Sequence, residues 1–135
     1  MGIFGWLFGK RARDEVLNIN GPGTFSFDVV GESHYQRQLS DICGGGCEDG
    51  YNLTVDAYLI HDDDNKHDSQ GIAVVIEGET VGHLSRKDAR QFRKAVSDAG
   101  HPGLNATCRA KIVGGWERGG VDRGDFGVRL DMPTS

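Results

Sequence analysis

The residues between His61 and Asp68 carry most of the chemistry the chain can offer: two histidines and four aspartates fall within the stretch "HDDDNKHD". Chelation is the first possibility such a cluster raises. A calcium loop of the EF-hand type needs oxygen ligands at its first, third and fifth positions and glycine at its sixth. Started at Asp62, the stretch offers Lys66 at the fifth position and His67 at the sixth; started at Asp64, it puts Lys66 at the third. Zinc held by His61 and His67 finds no matching Cys or His pair at a customary spacing. "CGGGC", with Cys43 and Cys47, has no second half of a zinc site. A nucleophile elbow and a phosphate-binding glycine loop are both missing as motifs. The chain is therefore read as non-enzymatic, without metal or cofactor, and Asp62 to Asp64 as a solvated hairpin turn.

A second set of residues suits a different task. Arg86, Lys87, Arg90, Arg93 and Lys94 make one segment strongly basic, and helical spacing puts Arg86, Arg90 and Arg93 on one side. His34, Tyr35, His67 and Trp116 are rings on which a base can stack. Stacking platforms beside a local positive groove are what binding to single-stranded nucleic acid requires. The same residues also have an ordinary reading, the basic segment as a solvated helix face and Tyr35 as part of the core.

The elements that must position these residues follow from hydrophobic periodicity. "TFSFDVV" alternates Phe25, Phe27 and Val29 with polar neighbours and reads as a strand. "SHYQRQLSDIC" spaces Tyr35, Leu39, Ile42 and Cys43 as a helix, with Ser33 as its cap and "GGGCEDG" as its end. "YNLTVDAYLI" is a strand with Leu53, Val55, Ala57 and Leu59 on one face. In "GIAVVIEGETVGHL" two apolar runs flank Glu77-Gly78-Glu79 as in a hairpin. "SRKDARQFRKAVSDAG" is the clearest helix. Ser85 and Asp88 form a capping box, Ala89, Phe92 and Val96 an apolar stripe, and Gly100 a stop. "NATCRAKIVGGW" and "DFGVRLDM" are the last strands, joined by a glycine-rich loop with Trp116, Arg118 and Arg123. Many short strands with two short helices predict a mainly β fold, a small barrel rather than a doubly wound sheet.

Two signatures in this order resemble the HIRAN domain in its small stand-alone bacterial form. The first is "VVGESHYQRQL". The second is "DNKHDSQGIAVVIEGETVGHLSRKDARQFR", which follows the family's Asn-Pro-aromatic-Asp run leading into Val-Gly-(His/Tyr)-Leu and a helix. The match covers roughly Phe25 to Leu130. It implies a modified OB-like barrel that grips the 3′ end of single-stranded DNA through base stacking and contacts to the terminal hydroxyl and phosphates. Carried over by position, the aromatic-Asp pair falls on His67 and Asp68, the opening aromatics near His34 and Tyr35, the signature histidine on His83 and the basic residue after it on Arg86. Lys66 stands where the family has proline, His67 where it has tyrosine, and Ser33 where the eukaryotic version has a basic residue.

The 135 residues make one domain, read as an apolar and basic segment with its linker over 1–23 and the barrel over 24–132. "GIFGWLFGKRAR" clusters Ile3, Phe4, Trp6, Leu7 and Phe8 before Lys10, Arg11 and Arg13, a composition that suits a membrane surface or a groove on a protein partner. Trp6 breaks the myristoylation pattern, which needs Ser or Thr there. A net charge of −5 argues against coating nucleic acid by bulk electrostatics. An odd number of cysteines, three, without a secretion signal fits a reducing cytoplasm. The function expected from the residues and the resemblance together is a single-stranded DNA 3′-end binding module, accessory to DNA-processing proteins in repair or replication. The competing expectation is a protein-interaction or membrane-proximal adaptor that keeps the barrel without the nucleic acid. A metal-dependent nuclease would require a carboxylate cluster able to hold a divalent ion.

Overall fold

The computed structural model describes residues 8–9, 16–119 and 122–133. In chain order the elements are β1 (Phe8–Gly9), β2 (Val16–Ile19), β3 (Phe27–Asp28), a 3-10 turn (Glu32–His34), α1 (Gln36–Cys43), β4 (Tyr51–Asp62), β5 (Gly71–Ile76), β6 (Glu79–His83), α2 (Arg86–Asp98), β7 (Asn105–Gly114), β8 (Glu117–Arg118), β9 (Asp122–Arg123) and β10 (Phe126–Asp131). The fold is mainly β with two helices, as the periodicity predicts. β7 is the spine: β4 runs antiparallel along one of its edges, while β2 (in parallel) and β10 (antiparallel) share the other. β5 and β6 continue the sheet beyond β4.

The sheet curls until its hydrogen bonds return to where they began. Chain segment 27–30 pairs with β10 through Phe27 and Asp28, and with β6 through a single bridge between Val30 and His83. In that bridge each residue donates its N–H to the other's carbonyl, at 2.8 and 2.9 Å. Such a curled sheet is compatible with a small barrel. Gly82 permits the closure, because a Cβ there would sit 2.5 Å from Val29 Cγ1 and 2.9 Å from the Val30 carbonyl oxygen. Its neighbours Val81 and Leu84 are buried.

The interior holds Leu59, Ile72, Val74, Ile76, Val81, Ile112, Val128 and Leu130 from the sheet, with Leu39 from α1 and Ala89, Phe92, Ala95 and Val96 from α2. Each fully buried Val, Leu, Ile or Phe side chain among these contributes about 1.5–3 kcal/mol by leaving water, and each alanine less. α2 starts as the capping pattern predicts, with Ser85 Oγ accepting from the Asp88 N–H at 3.1 Å. The β5–β6 turn has positive φ at both Glu77 and Gly78, the backbone that right-twisted hairpin strands favour.

Four local expectations change. Residues 24–30 do not form one straight strand: Phe25 adopts a φ of +50°, and its ring lies under the Lys111 ammonium rather than in the core. Ser33 does not cap α1, because Gly31, at a φ of +82°, turns residues 32–34 into a 3-10 turn and the helix begins after Tyr35. Leu53 lies on the expected face of β4 but is 39% exposed, since the strand outruns the core beneath it. The stretch around Asn18 and Ile19 is not linker: β2 adds to the edge of β7 and buries Leu17 and Ile19. The anchoring role expected of the N-terminal segment falls on residues that, apart from 8–9, lie outside those described. Among the described residues no helix is long and apolar enough to cross a membrane.

Candidate functional site

A cavity of about 440 Å³ opens beside the closing bridge, lined by residues of both sequence signatures. The first contributes Val30, Gly31, His34 and Tyr35; the second contributes Asn65, His67, Asp68 and Gly71, then His83, Leu84, Ser85 and Arg86. Six of the nine residues singled out by sequence therefore share one wall-to-wall space: His34, Tyr35, His67, Asp68, His83 and Arg86. They meet there because the Val30–His83 bridge brings the end of β6 against the segment that leads into the 3-10 turn. The Tyr35 and His83 rings lie 6.0 Å apart between centroids, tilted by 46°. His83 Nε2 lies 3.5 Å from Asp62 Oδ2, at the far end of β4. His34 and His67 present exposed rings.

The β4–β5 loop is shaped by a residue whose type and position gave it no role in the sequence. Asn65 Oδ1 accepts from the His67 and Asp68 N–H groups at 2.8 and 3.2 Å, and its amide nitrogen donates to Asp62 Oδ2 at 3.1 Å. This folds the loop back on itself, as Asn side chains do at turns. The signal was its place as the Asn two residues before the His67–Asp68 pair. Asp62 to Asp64 do stand at the hairpin turn, but Asp62 bonds Asn65 and faces His83, and Asp63 meets Arg93 at 2.8 Å.

The basic face of α2 is turned to this loop. Arg86 donates to the His67 carbonyl at 2.7 Å. Arg90 grips both oxygens of Asp68, at 3.1 and 3.2 Å. Arg93 donates to the Gln70 and Gly71 carbonyls at 2.8 and 2.9 Å. The three arginines share a side, as expected, and hold the loop that carries His67 and Asp68; Arg90 remains 44% exposed and Arg93 22%. The hydrogen bonds from Arg90, with a further one from the Gln70 N–H, hold the Asp68 carboxyl below its ordinary value. A carboxylate offers about four acceptor positions. The three taken by Arg90 and Gln70 leave room at Oδ2 for one more donor.

Trp116 is elsewhere. It stands at the root of the β8–β9 arm and lines a separate cavity of about 290 Å³, together with Gln36, Arg37, Asp41, Arg123 and Asp125. Its ring lies against Gly124, where a Cβ would come within 2.3 Å of the indole, and the Arg118 guanidinium sits 5.8 Å from the ring centroid. His61, from the opening stretch, also points away: its ring packs 5.7 Å from Phe92 and its Nδ1 lies 3.2 Å from Asn105 Oδ1. Burial lowers its pKa.

Among the described residues no three His, Cys, Asp or Glu side chains converge as a metal would need. Cys108 is buried, its thiol pushed up to about 12 first by burial and then by Asp131. Cys43 and Cys47 flank the three glycines after α1, and Cys47 donates to the Gly50 carbonyl. Compared with models of known families, with curated proteins and with solved structures, the chain matches none.

Proposed function

We propose that this protein is a HIRAN-type, OB-like barrel that binds single-stranded DNA at its 3′ end, works without catalysis or metal, and serves DNA-processing proteins of the cytoplasm in repair or replication. The observation that carries the reading is the meeting of both signatures around one cavity. Tyr35 and His67 stack on terminal bases, Asp68 accepts from the terminal hydroxyl at its remaining position, and His83 and His34 contact the backbone. Two features favour an anionic ligand. Arg86 is among the lining residues, and the start of α2, the partially positive end of a helix, forms part of the wall.

A second reading, an adaptor that binds protein in place of DNA, draws on the engagement of Arg86, Arg90 and Arg93 with the loop, which leaves fewer donors for phosphate. The two are separated by titrating labelled single strands ending in a 3′ hydroxyl or a 3′ phosphate, at two salt concentrations. The DNA reading expects saturable binding that weakens with salt and favours the free hydroxyl. Absence of binding to either strand sinks it in favour of the adaptor.

A further inference from the structure

The sheet curls until segment 27–30 meets β6, yet the first half of β4 is left with a bare edge. β5 pairs with β4 only from Tyr58 onward and ends at Ile76, so the β5–β6 hairpin turns back before it reaches the first half of β4. The directions of the backbone groups on that half can be read from its neighbours. The His61 N–H donates to Asn105 Oδ1, and the Ala57 carbonyl accepts from Thr107 Oγ1, so odd-numbered residues of β4 point toward β7. Alternation along a strand then turns the N–H and C=O of Asn52, Thr54 and Asp56 the other way. Among the described residues no backbone group is bonded to them there. Leu53, on the inner face beside them, is 39% exposed, and Asn52, Thr54 and Asp56 are exposed on the outer face. Of the devices by which proteins blunt a free edge, the stretch has no proline, lysine or bulge and a single charge, Asp56, which lies beside Arg109 of β7.

We infer that the occupant of this edge is the same edge of a second copy, paired antiparallel about a two-fold axis at Thr54. This register is the one that lets all the outward backbone groups pair. Thr54 faces its counterpart, and Asn52 faces Asp56 of the other copy, each such pair exchanging two N–H···O bonds. Between them Leu53 meets Val55. These are the pairings that stabilise antiparallel sheets: Thr with Thr, apolar with apolar, an amide against a carboxylate. Like charges are not opposed, since Asp56 faces Asn52 and lies beside its own Arg109, 3.5 Å away. The interface is short of the 1,200 Å² or so of a standard one, so the association is weak and concentration-dependent. Because each copy carries a net charge of −5, screening by salt tightens it. The inference is independent of the DNA reading.

Sedimentation equilibrium of the full chain, up to about 1 mM and at low and high salt, is the first test. A monomer–dimer equilibrium that shifts toward dimer with salt is expected. Thr54→Pro removes an N–H that faces away from β7, a position where proline is tolerated, and should leave a folded monomer throughout. Hydrogen exchange of the parent reads the same edge residue by residue. The Asn52, Thr54 and Asp56 amides should slow as concentration rises while those of Leu53 and Val55 do not change. A parent that stays monomeric with fast edge amides overturns the inference and leaves the edge to a strand of another protein. A dimer that survives Thr54→Pro, or whose edge amides are indifferent to concentration, also overturns it by placing the interface elsewhere.

Discussion

Two cavities in this protein are lined by the residue types that single-strand binding uses, and they differ in what those residues are already doing. Beside the Val30–His83 bridge, the imidazoles of His34 and His67 face outward while backbone bonds and arginines fix the loop beneath them. At the root of the β8–β9 arm, Trp116 is the largest ring available, but its indole lies against the Gly124 backbone and near Arg118. There the aromatic ring holds the arm in place. An aromatic residue in a cavity is thus a candidate platform only when the surrounding chain does not already occupy it.

The largest effect should come from the two glycines on which the cavities depend. Gly82→Ala would press a methyl group into Val29 and the Val30 carbonyl, and Gly124→Ala would press one into the Trp116 indole. Overpacking of this kind costs about 1–3 kcal/mol, to be read by chemical denaturation. If the comparison holds, DNA binding by the folded fraction disappears with Gly82→Ala and persists with Gly124→Ala. Equal loss of binding in both would erase the distinction.

Next is His67→Ala, which should weaken single-strand binding by about 1–3 kcal/mol, the range for removal of a base–aromatic stack. Trp116→Ala should lower stability and leave affinity alone. Affinity falling with Trp116→Ala while His67→Ala has no effect would move the site to the arm. Asp68→Ala should abolish discrimination between a 3′ hydroxyl and a 3′ phosphate, measured by competition between the two ends. Unchanged discrimination would remove Asp68 from the role of hydroxyl acceptor.

The arginines sharpen the comparison on a smaller scale. For Arg86→Ala or Arg90→Ala the slope of log affinity against log salt should fall by about 0.7 for each phosphate that the side chain no longer neutralises. Weaker affinity without a change of slope would assign them to holding the loop alone. The smallest effect concerns His61. Its folded-state pKa is lowered by burial, so the stability it contributes is fully present above its ordinary value of 6.5 and is lost as pH falls through the lower folded value. Denaturation midpoints at about pH 7.5 and pH 5 should differ more for the parent than for His61→Gln; equal differences would show that His61 does not couple to folding.

Much of this architecture was legible in the residues. Alternation in β4, the Glu77-Gly78 turn, the Ser85 cap and the Ala89–Phe92–Val96 stripe are local features, and local physics decides them. The grouping of His34, Tyr35, His67, Asp68, His83 and Arg86 was legible only through the order of the two signatures, because the bridge that unites them joins Val30 to His83, far apart along the chain. What stayed hidden depends on partners distant in sequence. The placing of Asp63 against Arg93 and the covering of Trp116 by Gly124 have no periodic signal. Phe25 alternates perfectly with Phe27, but it takes a positive φ, and its half-buried ring lies against Lys111. The strand at Val16–Ile19 is too short for its pattern to be told from a turn-rich stretch until β7 is there to receive it.

One consequence remains in the bridge between Val30 and His83. A curled sheet joined to its far edge by a single bridge comes apart there first. The amides of Val30 and His83 should therefore report the earliest breathing of the fold, before those of the long β4–β7 ladder. The cavity straddles that seam, with Val30, Gly31 and Tyr35 on one lip and His83, Leu84 and Ser85 on the other. A ligand that contacted both lips would hold them together, and its binding would then slow the opening of this bridge.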